Sequence, residues 1–427
     1  MDIFRCGGLS AVEAYAVQAF GASRSIKNPD APFLRFLGPL NIEFLVALST
    51  KAHKEVLQSQ CYSFVKPAFW TRLVGEIAGL GLLFAEGEEH KKQRRLLASP
   101  FQFSNIKNLL PIFNAKGSEL TSMFAKQIAE DSQKLIKESA PMSNIALDIV
   151  GLAAVDYHLN SLSSGSVFSE SYAKVFEQSP TGQAITAINK FIPSDGFEKA
   201  KNRELFTLMI EKKSFGLDPW TEDEILNHLL NFMSAGHETT AISVALALHT
   251  LGSYPHMQKR LRDEIKAHIT YYTSPEISGK GSAMSQVDIG TANNEIGSMK
   301  FLDNFVKESL RVHSHVPCQA AKDLWIESVQ ILKGTTVIIM PQLAAYNKTI
   351  WGPTADEGAK SSCVSGVYIT GPRICIDKSF ATLEFKALLI EMVRNFEFET
   401  TAPLRFQKGI TMRPVGGIKL RVRKVEG

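Results

Sequence analysis

The chain has 427 residues, 44% of them apolar and 21% charged, so it can bury a core and is not disordered on composition. Lys and Arg outnumber Asp and Glu by 47 to 43, and a net charge of +4 makes no electrostatic case for nucleic acid as a partner. No apolar run approaches the roughly 18 residues of a membrane-crossing helix, and the start, with Arg5 and Glu13, lacks the apolar segment of a secretion signal.

Taken in chain order, the elements are mostly helical. Gly87–Leu97 reads as a charged helix, and the stretches 105–137, 143–160, 168–178 and 198–213 read as further helices. The strongest pattern runs over 221–251, where Thr221 and Glu224 form a capping-box signature and Pro255 marks the end. A Gly-, Ser- and Asn-rich stretch at 273–298 is expected to be a loop with at most a short helix. Phe301–Val312 is helical again. Val329–Leu332 and Thr335–Ile339 read as short strands around a Lys333-Gly334 turn. Ser379–Phe396 reads as an amphipathic helix, and 418–422 as part of a terminal strand pair. Few strands, lying late, predict a mainly α fold with a small β portion.

Five cysteines, Cys6, Cys61, Cys318, Cys363 and Cys375, are odd in number and include no C-x-x-C pair, which speaks against a disulfide framework or a zinc ribbon. Cys375 stands apart. It follows Gly371-Pro372-Arg373 and lies just before a helix, where N–H groups and the macrodipole favour a thiolate. A buried structural cysteine would look the same locally. The long helix carries Ala235-Gly236-His237-Glu238-Thr239-Thr240 at its centre, where Gly and paired β-branched residues cost helix stability. That cost reads as a pocket wall, with Thr239 able to bond back to a carbonyl and Glu238 able to relay protons. A zinc-protease reading of His237-Glu238 fails, because position 241 is Ala. Glu308 and Arg311 share a helix face, as do His90 and Arg94, which could hold an anionic group; each pair taken alone reads first as a solvated surface pair.

In this order the four sites resemble the cytochromes P450, the haem-thiolate monooxygenases. Tyr368, Gly371, Arg373 and Cys375 follow the family's F-x-x-G-x-R-x-C-x-G loop, with Tyr for Phe and Asp377 for the last Gly. Ala235, Gly236, Glu238, Thr239 and Thr240 match A/G-G-x-D/E-T-T, and Glu308 and Arg311 match E-x-x-R. His90 and Arg94 match W-x-x-x-R with His for Trp, as in fungal members. The resemblance is clearest over 80–427 and implies a P450-like fold in one large domain spanning 1–427. It implies a haem b with Cys375 as iron ligand, and Arg373, Arg94 and His90 toward the propionates. Gly371, Ala235 and Gly236 would line the cofactor. Glu238 and Thr239 would deliver protons, and Glu308–Arg311 would be a structural ion pair.

The activity implied is insertion of one oxygen atom from O2 into an apolar small molecule, such as a fungal secondary metabolite of the terpenoid or polyketide kind. A separate NADPH-cytochrome P450 reductase would supply electrons, since no reductase domain is expected here. The family suggests an intracellular protein at the endoplasmic reticulum membrane, but the microsomal anchor is not expected in this chain. Two departures define a rival reading, a degenerate helical protein that binds haem or ligand without catalysis. The segment 356–367 contains no Arg to join Glu308–Arg311, and Asp377 places a carboxylate near the thiolate or caps the next helix.

Overall fold

The computed structural model describes residues 31–37, 43–68, 71, 74–75, 78–130, 135–137, 139–164, 221–270, 286–311, 316–339, 370–402, 404, 406–407, 413–414 and 416–425. The longer helices are α1 (Gly87–Leu97), α2 (Leu110–Glu130), α3 (Ser139–Val155), α4 (Glu222–Ser253), α5 (Pro255–His268), α6 (Gln286–Ser298), α7 (Lys300–Arg311) and α8 (Lys378–Asn395). The strands are β1 (Phe33–Leu37), β2 (Glu43–Ala47), β3 (Phe64–Val65), β4 (Leu135–Lys137), β5 (Val316–Ala320), β6 (Leu324–Ile326), β7 (Val329–Ile331), β8 (Thr336–Ile339), β9 (Phe396–Thr400), β10 (Phe406–Gln407), β11 (Arg413–Pro414) and β12 (Lys419–Lys424). The protein is mainly α with a small β portion, as the sequence predicts.

The chain divides into two compact units, one of residues 1–68, 86–91 and 304–378, the other of residues 69–85, 92–303 and 379–427. The first is built on a five-stranded sheet in the order β1-β2-β8-β5-β3. Among the described residues only β2 and β8 pair in parallel, with Phe44 opposite Thr336 and Ala47 opposite Ile339. Phe33, Leu45, Val56, Phe64, Val337 and Ile339 belong to its core. The β6–β7 hairpin turns through Glu327, whose φ of 51° is rare for a side-chain-bearing residue, and Glu327 accepts a hydrogen bond from Ser49 Oγ.

The second unit is centred on α4. Thr221 Oγ1 accepts from the Glu224 N–H at 3.3 Å, and a Glu224 carboxylate oxygen accepts from the Thr221 N–H at 2.8 Å. This reciprocal cap closes the start of a 32-residue helix. Val244, Ala247, Leu248 and Leu251 are fully buried. At its end α4 meets β9 closely: Thr400 Oγ1 donates to His249 O at 2.7 Å. Strand β12 sits between β4 and β9, with Leu420 opposite both Ile136 and Thr400.

The structure corrects several expectations. Residues 286–298, expected as loop, form α6, because Ile289, Ala292 and Ile296 bury one helical stripe and Asn293 Nδ2 donates to Lys107 O at 3.1 Å. The helix expected over 105–137 stops at Glu130, and 135–137 is instead β4. Strands are not all late, since β1, β2 and β3 come first. Strand β2 is a continuous buried run from Phe44 to Ala47, and such a run has no alternation from which to recognise a strand. Helix α8 is not amphipathic. It is buried on every side from Leu383 to Val393, including Glu384, Lys386 and Glu391, and Phe396 already belongs to β9. Lys386 Nζ is held by Asp303 Oδ1 at 3.0 Å. The helices expected at 168–178 and 198–213 lie outside the described residues.

Candidate functional site

The cysteine loop belongs to the first unit. Gly371–Arg373 forms one 3-10 turn, and the Ile374 N–H donates to Gly371 O at 3.0 Å. Gly371 has a φ of +83°, and a Cβ there would lie 2.2 Å from Leu57 O and 3.0 Å from Gln58 Cα. Only glycine permits both the turn and this approach. Cys375 is not disulfide-bonded, is partly buried, and lies three residues before the start of the 18-residue α8.

Side chains around the loop form a polar cluster. Arg373 is ion-paired with Glu86. The Tyr62 ring faces both the Arg373 guanidinium, at 5.3 Å, and the Lys91 ammonium, at 4.7 Å. The Tyr62 hydroxyl bonds to Nδ1 of the buried His90 at 3.1 Å. Cys61 is also buried here, and burial pushes its thiol pKa up against the opposing pull of Arg373 and Lys91.

Asp377 settles one expectation. Its Oδ1 is buried with no hydrogen-bond partner among the described residues, so that oxygen does not cap α8. Burial pushes its carboxyl pKa up to about 7, which makes the protonated, neutral form accessible near neutral pH. The backbone there is not left-handed, so a side chain is tolerated at this position.

Glu308 is half-buried on α7. The side chain of Arg311 and the segment 351–367 lie outside the described residues.

The second group of predicted residues lies on α4 in the other unit. Ala235 and Thr239 are exposed, whereas Gly236, His237, Glu238 and Thr240 are buried. Thr239 Oγ1 donates to Ala235 O at 2.6 Å, and Ser243 Oγ donates to Thr239 O at 2.7 Å. Back-bonding of this kind loosens the helical ladder locally. His237 Nε2 bonds to Ser143 Oγ of α3 at 2.7 Å, fixing this turn of α4 against its neighbour. Arg94, also of this unit, is half-buried.

The structure therefore brings Arg373, His90 and the Cys375 loop into one cluster, and Ala235, Gly236, Glu238 and Thr239 onto one helix. Sequence reasoning missed Tyr62, Lys66, Glu86, Lys91 and Ser143. Glu86 and Lys91 adjoin or lie within a motif that was read, but nothing local says that they reach the cysteine loop.

Comparison with known proteins follows from this geometry. The family model described as Cytochrome P450 matches residues 33–202 and 190–357. It ends before the cysteine loop, so the match does not rest on that loop. The chain is 30% identical to the cytochrome P450 monooxygenase sphH of Aspergillus fumigatus, over 93% of this chain and 82% of that protein. It is 26% identical to the cytochrome P450 monooxygenase FUM15 of Gibberella moniliformis, over 94% and 83%. It is 23% identical to ALT8 of Alternaria alternata, another cytochrome P450 monooxygenase, over 92% and 83%.

Proposed function

The chain belongs to the cytochrome P450 monooxygenases, and we propose that it inserts one oxygen atom from O2 into an apolar small molecule of the fungal secondary-metabolite kind. The observation that carries the cofactor reading is Cys375, a partly buried cysteine outside any disulfide, three residues before α8 and on a loop that only Gly371 allows. The donor set fits haem b held by a cysteine thiolate. Cys375 would ligate the iron, His90, Arg94 and Arg373 would face the propionates, and Gly371, Ala235 and Gly236 would line the macrocycle. When bound, the haem supplies the binding and activation of O2 and the transfer of oxygen.

The protein's own residues would manage protons and shape. Thr239 Oγ1 spends its hydrogen on Ala235 O, which leaves its lone pairs to receive a proton donor. Glu238 is buried beside it in sequence and would pass protons toward that hydroxyl. Glu308–Arg311 would act as a structural ion pair. Electrons would come from a separate NADPH-cytochrome P450 reductase, with residues 1–427 acting as one P450 domain. Among the described residues no helix is long and apolar enough to cross a membrane. Association with the endoplasmic reticulum membrane is part of this proposal through the family.

The test is the absorbance of the reduced, carbon-monoxide-treated protein. A red-shifted thiolate band that survives Cys363→Ala and disappears in Cys375→Ala supports the reading. Loss of the band in Cys363→Ala would reassign the ligand. A wild-type protein that holds haem without that band would favour the rival, a non-catalytic haem-binding protein.

A further inference from the structure

Arg373 stands two residues before Cys375, and its guanidinium is already engaged. Arg373 Nη2 is ion-paired with Glu86 Oε2, with the two side chains only 18% and 31% exposed. The other carboxylate oxygen, Glu86 Oε1, accepts the Lys66 backbone N–H at 2.9 Å and lies 3.4 Å from Lys66 Nζ. Glu86 is thus anchored by one oxygen to the segment following β3 and grips the cysteine loop with the other. Beneath the same guanidinium lies the Tyr62 ring, whose hydroxyl is tied to His90. The loop backbone at Gly371 rests on Leu57 and Gln58.

We propose that Glu86 is a positioning residue for the thiolate: it docks the cysteine loop through Arg373, with Tyr62 as the platform, and so sets where Cys375 Sγ sits. This rests on the haem-thiolate reading above. The physical case has three parts. A carboxylate–guanidinium bond is charge-assisted and about twice as strong as a neutral one. The Glu86 carboxylate is held in place by a backbone N–H, so pairing with Arg373 costs it little further freedom. Finally, Arg373 shares the Tyr62 ring with Lys91, and Lys66 reaches the same carboxylate. Without Glu86, Arg373 and Lys66 would lose the carboxylate they share, and the loop would lose its tie to the segment following β3. Glu88 does not replace it, because its own partner is Lys91 and its side chain is 88% exposed.

The experiment compares full-length wild type with Glu86→Gln, Arg373→Gln and the double variant. Two readouts are taken, the carbon-monoxide spectrum of the reduced protein and hydrogen exchange of the loop amides, chiefly Ile374. Glu86→Gln is expected to speed exchange at Ile374 roughly tenfold, the size of one lost charge-assisted hydrogen bond. It is also expected to move part of the spectrum from the thiolate form to the neutral-thiol form, while the unfolding midpoint stays near wild type. Because Glu86 acts through Arg373, the double variant should be no worse than Arg373→Gln alone. A normal wild-type thiolate band, with loop exchange and spectrum unchanged in Glu86→Gln, overturns this proposal alone. So does a double variant whose losses are the sum of the two single ones. A wild-type protein with no thiolate band overturns the haem-thiolate reading, and this proposal with it, whatever the loop exchange shows.

Discussion

The cysteine loop and the centre of α4 are held by opposite kinds of physics. Around the loop, a glycine at positive φ, an ion pair and a tyrosine flanked by two cations do the holding. Along α4, Val244, Ala247, Leu248 and Leu251 are sealed in an apolar core, while the costly Gly236–Thr240 stretch sits within the same helix. Apolar burial is spread over many atoms, so the helix tolerates a weak stretch at its centre. The loop depends on a few directional contacts, each of which a single substitution can remove. In a site built this way, chemistry and stability should separate on α4, and position and stability should separate at the loop.

The largest expected effect tests the first separation. Thr239→Ala removes the hydroxyl but replaces Thr with a better helix former. Product formed per NADPH should fall by about 10²–10⁴-fold, with peroxide released, while the unfolding temperature is equal or higher. An unchanged product-to-NADPH ratio would remove Thr239 from proton delivery. Leu248→Ala reverses the pattern. It should cost about 2–5 kcal/mol in denaturant unfolding, because the side chain is fully buried, without altering the coupling ratio of the folded fraction. A loss under about 1 kcal/mol would mean that the α4 core repacks easily.

In the loop's own unit, His53 links stability to pH. It is 4% exposed, its Nε2 donates to Ala47 O at 3.0 Å, and burial lowers its pKa from 6.5 to about 4. The unfolded chain therefore binds a proton that the folded chain resists. Stability from this group is complete above about pH 6.5 and is lost as pH falls toward 4, by about 3 kcal/mol in all. His53→Gln should flatten that slope, and equal slopes in both proteins would assign acid lability to other groups. The smallest effect on stability is expected of Gly371→Ala. Left-handed backbone costs a residue with a Cβ about 1–2 kcal/mol, relieved here by moving the loop away from Leu57 O. The thiolate band should weaken while the unfolding midpoint shifts by only a few degrees, roughly what that cost implies. If band and midpoint fall together, the loop and the sheet form one cooperative unit.

Much of this protein was legible along the chain. The capping box at Thr221, the long helix, the Lys333-Gly334 turn and the family motifs all depend on residues close in sequence, where spacing and residue type carry the physics. Helix α6 and strands β2 and β4 were not legible. The face buried by Ile289, Ala292 and Ile296, and the pairing of Ile136 with Leu420, depend on partners far along the chain. The same holds for the site. Sequence alone marked Cys375, Arg373, Glu238 and Thr239, because their chemistry is written in their type and order. Only tertiary structure decided that Arg373 meets Glu86, that Tyr62 lies beneath it, that His237 meets Ser143 and that an Asp377 oxygen is buried without a partner. Desolvation and ion pairing depend on what surrounds a group in space, and residues 94 to 287 positions apart supply those surroundings.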